Sequence, residues 1–340
     1  MNILVTGGAG FIGSNFIHYI VKRHTDWQVV NLDKLTYAGN LENLKGLEEL
    51  PSYQFIKGDI TDRSQISAEL SKGIDIVINF AAESHVDRSI LDSSPFIDTN
   101  IKGTQVLLEG IKQNKVQKYI QVSTDEVYGS LEKGKATETS ALLPNSPYAA
   151  SKTSADLLCR AYWKTYGLPV VITRCSNNYG PYQFPEKLIP LVITNALEGK
   201  DIPVYGDGKN IREWIHVEDH CKALETVMQS GKAGEIYNVG SNAAKTNLDL
   251  VKFILKVLGK SESLIKYVTD RPGHDRRYAL DTGKLKRELG WQPGISFEKG
   301  MTDTVQWYVN NKTWWQRIKS GEYLEYYKRM YGKREDAETQ

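Results

Sequence analysis

The chain has 340 residues, 40% of them hydrophobic, and its 43 basic and 41 acidic side chains leave a formal net charge of +2. That length suits one large α/β domain or two closely packed ones with ample core. The near-balanced charge excludes the basic footprint of a nucleic-acid or membrane-surface binder. Three cysteines (Cys159, Cys175, Cys221) are too few and too irregularly spaced for a disulfide framework or a zinc site, so inert buried thiols and no metal are expected.

From the N-terminus, "MNILVTGGAG" reads as a core strand, not a signal peptide, and no apolar run reaches the roughly 18 residues of a membrane helix. The sequence therefore predicts a soluble, cytoplasmic protein. Short apolar runs at 2–6, 28–33, 53–59, 75–81, 118–124 and 169–174 alternate with amphipathic stretches such as 12–23, 63–72, 98–114 and 148–166. This is the rhythm of βαβ units, and it predicts a Rossmann-type doubly wound parallel sheet over residues 1–175. After residue 175 the chain becomes rich in Pro, Gly, Tyr and Asn, with a helical pattern at 247–259. Residues 176–331 are expected to form mainly a smaller C-terminal α/β substrate domain that returns the last strands to the sheet. The polar end, 332–340, is expected to fray.

"TGGAGFIG" (6–13) directly follows the first strand and opens a helix. It fits G-x-G-x-x-G through Gly8, Gly10 and Gly13, and G-x-x-G-x-x-G through Gly7, Gly10 and Gly13. Such glycines permit a tight turn, bring backbone N–H groups to a pyrophosphate and let helix and strand pack closely. Asp33 ends the second strand 20 residues beyond Gly13, where a carboxylate accepts both ribose hydroxyls of NAD and repels the 2′-phosphate of NADP. Asp59, Ile60, Ala81 and Ala82 lie at the ends of the third and fourth strands, the ligand edge of such a sheet. Phe11, Ile12, Lys34, Thr36, Phe80, Ser84 and Thr99 complete the candidate NAD contacts near these turns.

"YAASK" (148–152) puts Tyr148 and Lys152 four residues apart, on one helical face. An ammonium near a phenol favours the phenolate, so Lys152 is expected to lower the Tyr148 pKa and fit it to take a proton from a sugar hydroxyl. The pair lies downstream of Thr124 in a chain that carries an NAD fingerprint. Tyr148 and Lys152 are thus candidates for both catalysis and cofactor binding.

Together, TGGAGFIG, Asp33, STDEVYG (123–129) and YxxxK resemble the extended short-chain dehydrogenase/reductase family of nucleotide-sugar enzymes. The segments AAESHVDRS (81–89), SPYAASK (146–152), RCSNNYGPYQFPEKLIPL (174–191), VYGDGKNIREWIHVEDH (204–220) and RPGHDRR (271–277) are most similar to its dTDP-glucose 4,6-dehydratase branch. The resemblance extends over nearly the whole chain and implies a hydro-lyase that takes dTDP-glucose. It assigns Asp125 as the acid and Glu126 as the base of an elimination. Chemistry agrees: once C4 of the hexose is a ketone, C5–H is acidic, a carboxylate can remove it and a carboxylic acid can protonate the departing C6 hydroxyl. Mutual repulsion and unlike surroundings can hold two such carboxyls in different protonation states.

The resemblance further implies a nucleotide-sugar site of Ser84, Asn177, Lys187, Leu188, Pro203, Tyr205, Arg212, Asn247, Arg271 and His274, with Thr124 on the C4 oxygen and Asn178 on the nicotinamide side. Arg212 and Arg271 have forked donors suited to a diphosphate. His85 could touch the glucose or cap a helix. His216 reads as a packing residue, and His274 with Asp275 lies in a basic loop that could equally be solvated. The aromatics Trp307, Trp314, Trp315, Tyr323, Tyr326, Tyr327 and Tyr331 read as helix-packing residues. Family members dimerise through helices flanking the active site, here 98–114 and 148–166, so a homodimer is implied. A nucleotide-sugar 4-epimerase would share the NAD site and YxxxK without needing Asp125 and Glu126, and a silent NAD-binding module would need neither. A UDP- or CDP-sugar dehydratase stays open, because one methyl group on the base changes binding by only about 1–3 kcal/mol.

Overall fold

The computed structural model describes residues 1–320. Its twelve strands, in chain order, are β1 (Asn2–Thr6), β2 (Gln28–Asp33), β3 (Tyr53–Lys57), β4 (Ile76–Asn79), β5 (Lys118–Thr124) and β6 (Val170–Cys175), followed by β7 (Asn177–Tyr179), β8 (Ile202–Tyr205), β9 (Ile211–His216), β10 (Ile236–Val239), β11 (Ala244–Thr246) and β12 (Ile265–Val268). Seven form one sheet in the order β10-β6-β5-β4-β1-β2-β3. Every pairing in it is parallel, with Leu4 opposite both Val30 and Val77, and Ile172 opposite both Gln121 and Ile236.

The strands are apolar on both faces because helices cover both, and the side chains divide with the period of two that a pleat imposes. Ile3, Val5, Ile76, Ile78, Ile120 and Val122 join Phe16, Ile17 and Ile20 of the helix Phe11–Arg23, and Leu224 and Val227 of the helix Val217–Ser230, in one core. Leu4, Val77 and Tyr119 point the other way. They meet Ile66 and Leu70 of Arg63–Leu70, Val106, Leu107 and Ile111 of Thr104–Gln113, and Cys159 of Pro147–Tyr166. The three cysteines are buried and unpaired.

Two departures from the sequence reading concern the site. The stretch 98–114 is not one α-helix: Ile97–Gly103 winds as a π-helix and only Thr104–Gln113 is α-helical. Asn100 lies in the widened part, where its side chain accepts from the Glu83 N–H at 2.9 Å and donates to the Glu83 carbonyl at 3.0 Å and the Ser151 hydroxyl at 2.8 Å. Such widened turns recur at functional sites. The third strand also stops at Lys57, not Asp59, which leaves Asp59 and Ile60 in the following turn.

Beyond residue 175 a third core gathers Tyr179, Ile193 and Trp214 with Leu250 and Ile254 of the helix Asn247–Leu258 and Met301 and Tyr308 of Phe297–Asn310. Trp314 and Trp315 are buried in it and Trp307 packs against it, as expected of packing aromatics. Tyr323, Tyr326, Tyr327, Tyr331 and the polar end 332–340 lie outside the described residues. Among the described residues no helix is long and apolar enough to cross a membrane.

Candidate active site

The C-terminal ends of the central strands open into a cavity of about 340 Å³. Of the residues that the sequence marks for the cofactor, Gly7, Gly10, Phe11, Ile12, Gly13, Asp33, Lys34, Thr36, Asp59, Ile60, Phe80, Ala81, Ala82, Ser84, Thr99, Tyr148, Lys152 and Asn178 line it, and Gly8 does not. Glycine is required at position 13, because a Cβ there would stand 2.4 Å from the Gly7 carbonyl oxygen. Asp33 is buried, and its two oxygens accept the N–H groups of Ala9 at 2.9 Å and Leu35 at 2.7 Å. Burial raises its pKa while those two bonds oppose the rise. Each oxygen retains a second lone pair for a ribose hydroxyl. The Lys34 ammonium is paired with Asp59 at 2.7 Å, which answers its positive charge with a carboxylate and favours NAD over NADP. The glycine cradle and the buried acceptor on the second strand fit a dinucleotide.

The same cavity holds Thr124, Asp125, Glu126, Tyr148 and Lys152. Thr124 ends β5 and caps the 3-10 turn Asp125–Tyr128, its hydroxyl accepting the Glu126 N–H at 3.2 Å and donating to Asp125 Oδ1 at 3.3 Å. Asp125 Oδ2 is buried without a partner among the described residues. Burial, then the adjacent Glu126, pushes the Asp125 pKa well up. Burial also raises Glu126, but Arg271, Arg212 and Lys187 oppose it. The charges around the two carboxyls therefore differ, mainly anions at Asp125 and mainly cations at Glu126, the kind of difference that acid–base partners need.

Tyr148 and Lys152 share the helix Pro147–Tyr166, started by Ser146, whose hydroxyl accepts the Ala149 N–H at 3.1 Å. One expectation is corrected here. The Tyr148 phenol is pushed up, not down: burial dominates, Glu126 and Cys175 add to it, and the Thr124 hydroxyl offsets only part. Lys152 does not counter this, since its ammonium donates to the Val122 carbonyl at 2.7 Å and burial weakens its own hold on a proton. Asn178 is set by His220, whose Nδ1 lies 2.9 Å from Asn178 Oδ1 while the Asn178 amide donates to the Ser176 carbonyl at 2.9 Å.

Of the candidate sugar-nucleotide residues, Ser84, Thr124, Asn177, Lys187 and Leu188 line this cavity. Lys187 donates to the Ser84 carbonyl at 2.7 Å at the start of the helix Leu188–Glu198. His85, Pro203, Tyr205, Arg212, Asn247, Arg271 and His274 do not line it. Arg271 Nη1 and the Tyr205 hydroxyl both bond Asp87, at 3.0 and 2.9 Å. Arg212 donates to the Asp275 carbonyl at 2.8 Å, and Asn247 Oδ1 and Arg271 Nε are buried with no partner among the described residues. The loop at 274–275 is not simply solvated: His274 pairs with Asp270 at 2.6 Å and stands edge-on to Tyr205, and Asp275 is buried. His85 occupies the N-cap of Val86–Leu91 without capping it by its side chain, and burial keeps it neutral. His216 packs edge-on against Tyr179 and accepts the Glu218 N–H at 3.3 Å, the structural role expected of it.

A profile described as GDP-mannose 4,6 dehydratase matches residues 4–304. The chain belongs to this dehydratase family. It is 54% identical over 340 residues to the dTDP-glucose 4,6-dehydratase of Xanthomonas campestris pv. campestris (strain B100), covering 94% of this chain and 96% of the relative. Among solved structures it is similar to DesIV, a dTDP-glucose 4,6-dehydratase from Streptomyces venezuelae with NAD and TYD bound, with 51% identity, a TM-score of 0.92, and coverage of 94% of this chain and 100% of that one. It is likewise similar to the Bacillus anthracis dTDP-glucose 4,6-dehydratase in complex with NAD, with 52% identity, a TM-score of 0.89, and coverage of 94% and 99%.

In this member of the dehydratase family the cavity has walls that the sequence reading missed, among them Tyr37, Gln183, Phe184, Glu186 and Trp214. The Arg88 guanidinium lies 3.8 Å from the centre of the Tyr37 ring and 3.0 Å from Glu186, tying the turn after β2 to the segment before Leu188–Glu198. Asp87 was missed as well. Its only sequence signal is its position within AAESHVDRS, since its partners Tyr205 and Arg271 lie 118 and 184 residues away.

Proposed function

We propose that the protein is an NAD-dependent hydro-lyase converting dTDP-glucose to dTDP-4-keto-6-deoxyglucose. The observation that carries this reading is the placing of Asp125 and Glu126 in the same cavity as Tyr148, Lys152 and the glycine cradle. The solved relatives with NAD and the names of the curated relatives support the cofactor and the substrate.

Gly7, Gly10, Gly13 and Asp33 would hold the dinucleotide, with Asn178 towards its nicotinamide end, and NAD bound there would supply a hydride acceptor for C4 and a hydride donor for C6. Tyr148, with Lys152 beside it on the helix, takes the proton of the C4 hydroxyl, and Thr124 holds the C4 oxygen. Glu126 removes the proton from C5 and returns one, exchanged with solvent, to C5 as C6 is reduced. Asp125 protonates the C6 hydroxyl as the C6–O bond breaks, releasing water. Tyr148 gains one proton over the cycle and Asp125 gives one up, and Thr124 bonds both side chains, a route by which the balance is restored. Lys187, Arg212 and Arg271 neutralise the diphosphate and favour the ionised form of Glu126.

Residues 1–175 with β10 serve the cofactor in this reading, and residues from 176 onward serve the nucleotide-sugar. The enzyme works as a homodimer through the helical segments 98–114 and 148–166, where Leu157, and Ile97 just before the first segment, are each 52% exposed. Three unpaired thiols suit a reducing cytoplasm, and the product suits an early step towards deoxysugars of the rhamnose type. The test is incubation with dTDP-glucose in heavy water, followed by mass spectrometry and proton NMR. A product lighter by one water, with deuterium at C5 and a new C6 methyl, is expected. Unchanged dTDP-glucose refutes the substrate, and dTDP-galactose would mean an epimerase.

A further inference from the structure

Asp125 must hold a proton until the C6 hydroxyl leaves, yet it sits next to Arg212, a cation that opposes protonation. Its Oδ1 receives only the Thr124 hydroxyl, at 3.3 Å. Something has to outweigh the guanidinium. A third carboxylate answers it. Glu213, on β9, is 2% exposed, and both its oxygens accept backbone donors: Oε1 from Asn242 N–H at 2.9 Å and Oε2 from Leu280 N–H at 3.2 Å. That acceptor-only pattern is the one an ionised carboxylate makes.

Packing places this charge beside the turn that carries the acid. Leu280 packs in one cluster with Val127 and Tyr128, so the Glu213 head group lies by the turn that carries Asp125. Gly240 keeps the space open, since a Cβ there would stand 2.1 Å from Glu213 Oε1. The fields on the pair are then unequal. Asp125 faces Glu126 and Glu213 against Arg212, whereas Glu126 faces Arg271, Arg212 and Lys187 against Asp275. Cys175 and Tyr148, the other titratable groups beside Asp125, are both pushed up by burial.

We propose that Glu213 is a positioning residue for the dehydration step, its fixed negative charge keeping the proton on Asp125 until water departs. This rests on the reading of Asp125 as the acid. A purely structural role, strapping the turn at 240–242 to Leu280, would change thermal stability and leave the pH dependence of turnover where it is.

The experiment is the pH profile of dehydration kcat for the holoenzyme, Glu213→Gln and Glu213→Asp, with product followed by mass spectrometry and NADH by absorbance. Asp125 works protonated, so kcat falls as pH rises through its pKa. Removing a neighbouring negative charge lowers that pKa and brings the alkaline fall to lower pH. Glu213→Gln is expected to shift that limb down by about one pH unit, so that kcat above both limbs drops about tenfold. NADH should accumulate there because C4 oxidation continues. Glu213→Asp retains the charge and should retain the wild-type limb whatever its melting temperature. A Glu213→Gln limb that superposes on wild type overturns the proposal, and so does an equal shift in both variants. One measurement needs no Glu213 variant: the infrared difference between wild type and Asp125→Asn at pH 7 should carry a protonated-carboxyl band, and its absence overturns the proposal. Wild type that leaves dTDP-glucose unchanged sinks the proposed function and this role together; active wild type with unshifted variants sinks this role alone.

Discussion

Gly13→Ala should empty the cofactor site without unfolding the protein. The added Cβ would stand 2.4 Å from the Gly7 oxygen, 2.8 Å from Gly8 Cα and 3.1 Å from the Gly7 carbonyl carbon. Comfortable non-bonded carbon contacts begin near ~3.5 Å, so the turn has to open by about 1 Å. All three obstructing atoms are backbone, and no side chain can swing aside. Overpacking of this kind costs about 1–3 kcal/mol. The strain is relieved by moving the glycine turn away from the helix start, which displaces the N–H groups meant for the pyrophosphate. That corresponds to NAD binding weakened about 5- to 150-fold. The assay is equilibrium titration of NAD-stripped protein, with circular dichroism and a melting curve as the check on folding. A folded Gly13→Ala protein that binds NAD as tightly as wild type would refute the steric argument.

Glu126→Gln should lower dehydration kcat about 10²- to 10⁴-fold while dTDP-glucose still generates NADH, because Tyr148 is untouched; loss of both signals together would remove Glu126 from the role of base. Asp156 and Arg174 form a buried pair, Oδ2 to Nε 2.9 Å, with side chains 1% and 3% exposed. Asp156→Asn strands the guanidinium and should cost about 3–5 kcal/mol in urea unfolding, and an unchanged midpoint counts against that pairing. His220 is buried and its pKa is pushed from 6.5 down to about 3 by desolvation. The unfolded chain takes up this proton and the folded one does not, so its contribution is complete above pH 6.5 and is lost as pH falls towards 3. Each pH unit of that window should remove up to about 1.4 kcal/mol. His220→Gln should flatten the acid limb of the stability curve, and an unchanged limb would contradict the burial.

The sheet and the cofactor half of the site were legible because their signals are local. The glycine turn, Asp33 and the ends of β3 and β4 each follow directly from a strand that the apolar runs reveal. The pair Tyr148 and Lys152 was legible for the same reason, being one helical turn. What local pattern could not give was the charge balance. Lys152 looked like the group that activates Tyr148, but its ammonium is bound to the Val122 carbonyl, a partner set by the packing of a helix on β5. Asp87 and Glu213 resemble ordinary polar residues until chain segments more than 60 residues away close on them. Tyr205, Arg212, Asn247, Arg271 and His274 came from family likeness, since nothing in their spacing unites them. The π-wound stretch before Thr104 carries no compositional mark that separates it from an α-helix.

The place of β10 has a consequence for how the chain acquires this shape. It is the edge strand beside β6, yet it enters 60 residues after β6 ends, once β7, β8 and β9 have been made. During synthesis the first six strands of the sheet can pair as they leave the ribosome, but the outer side of β6 then waits, with its N–H and C=O groups free to recruit another chain. A ribosome stalled between residues 175 and 236 would therefore present a sticky intermediate, and a chaperone acting on this protein would have most to protect in that interval.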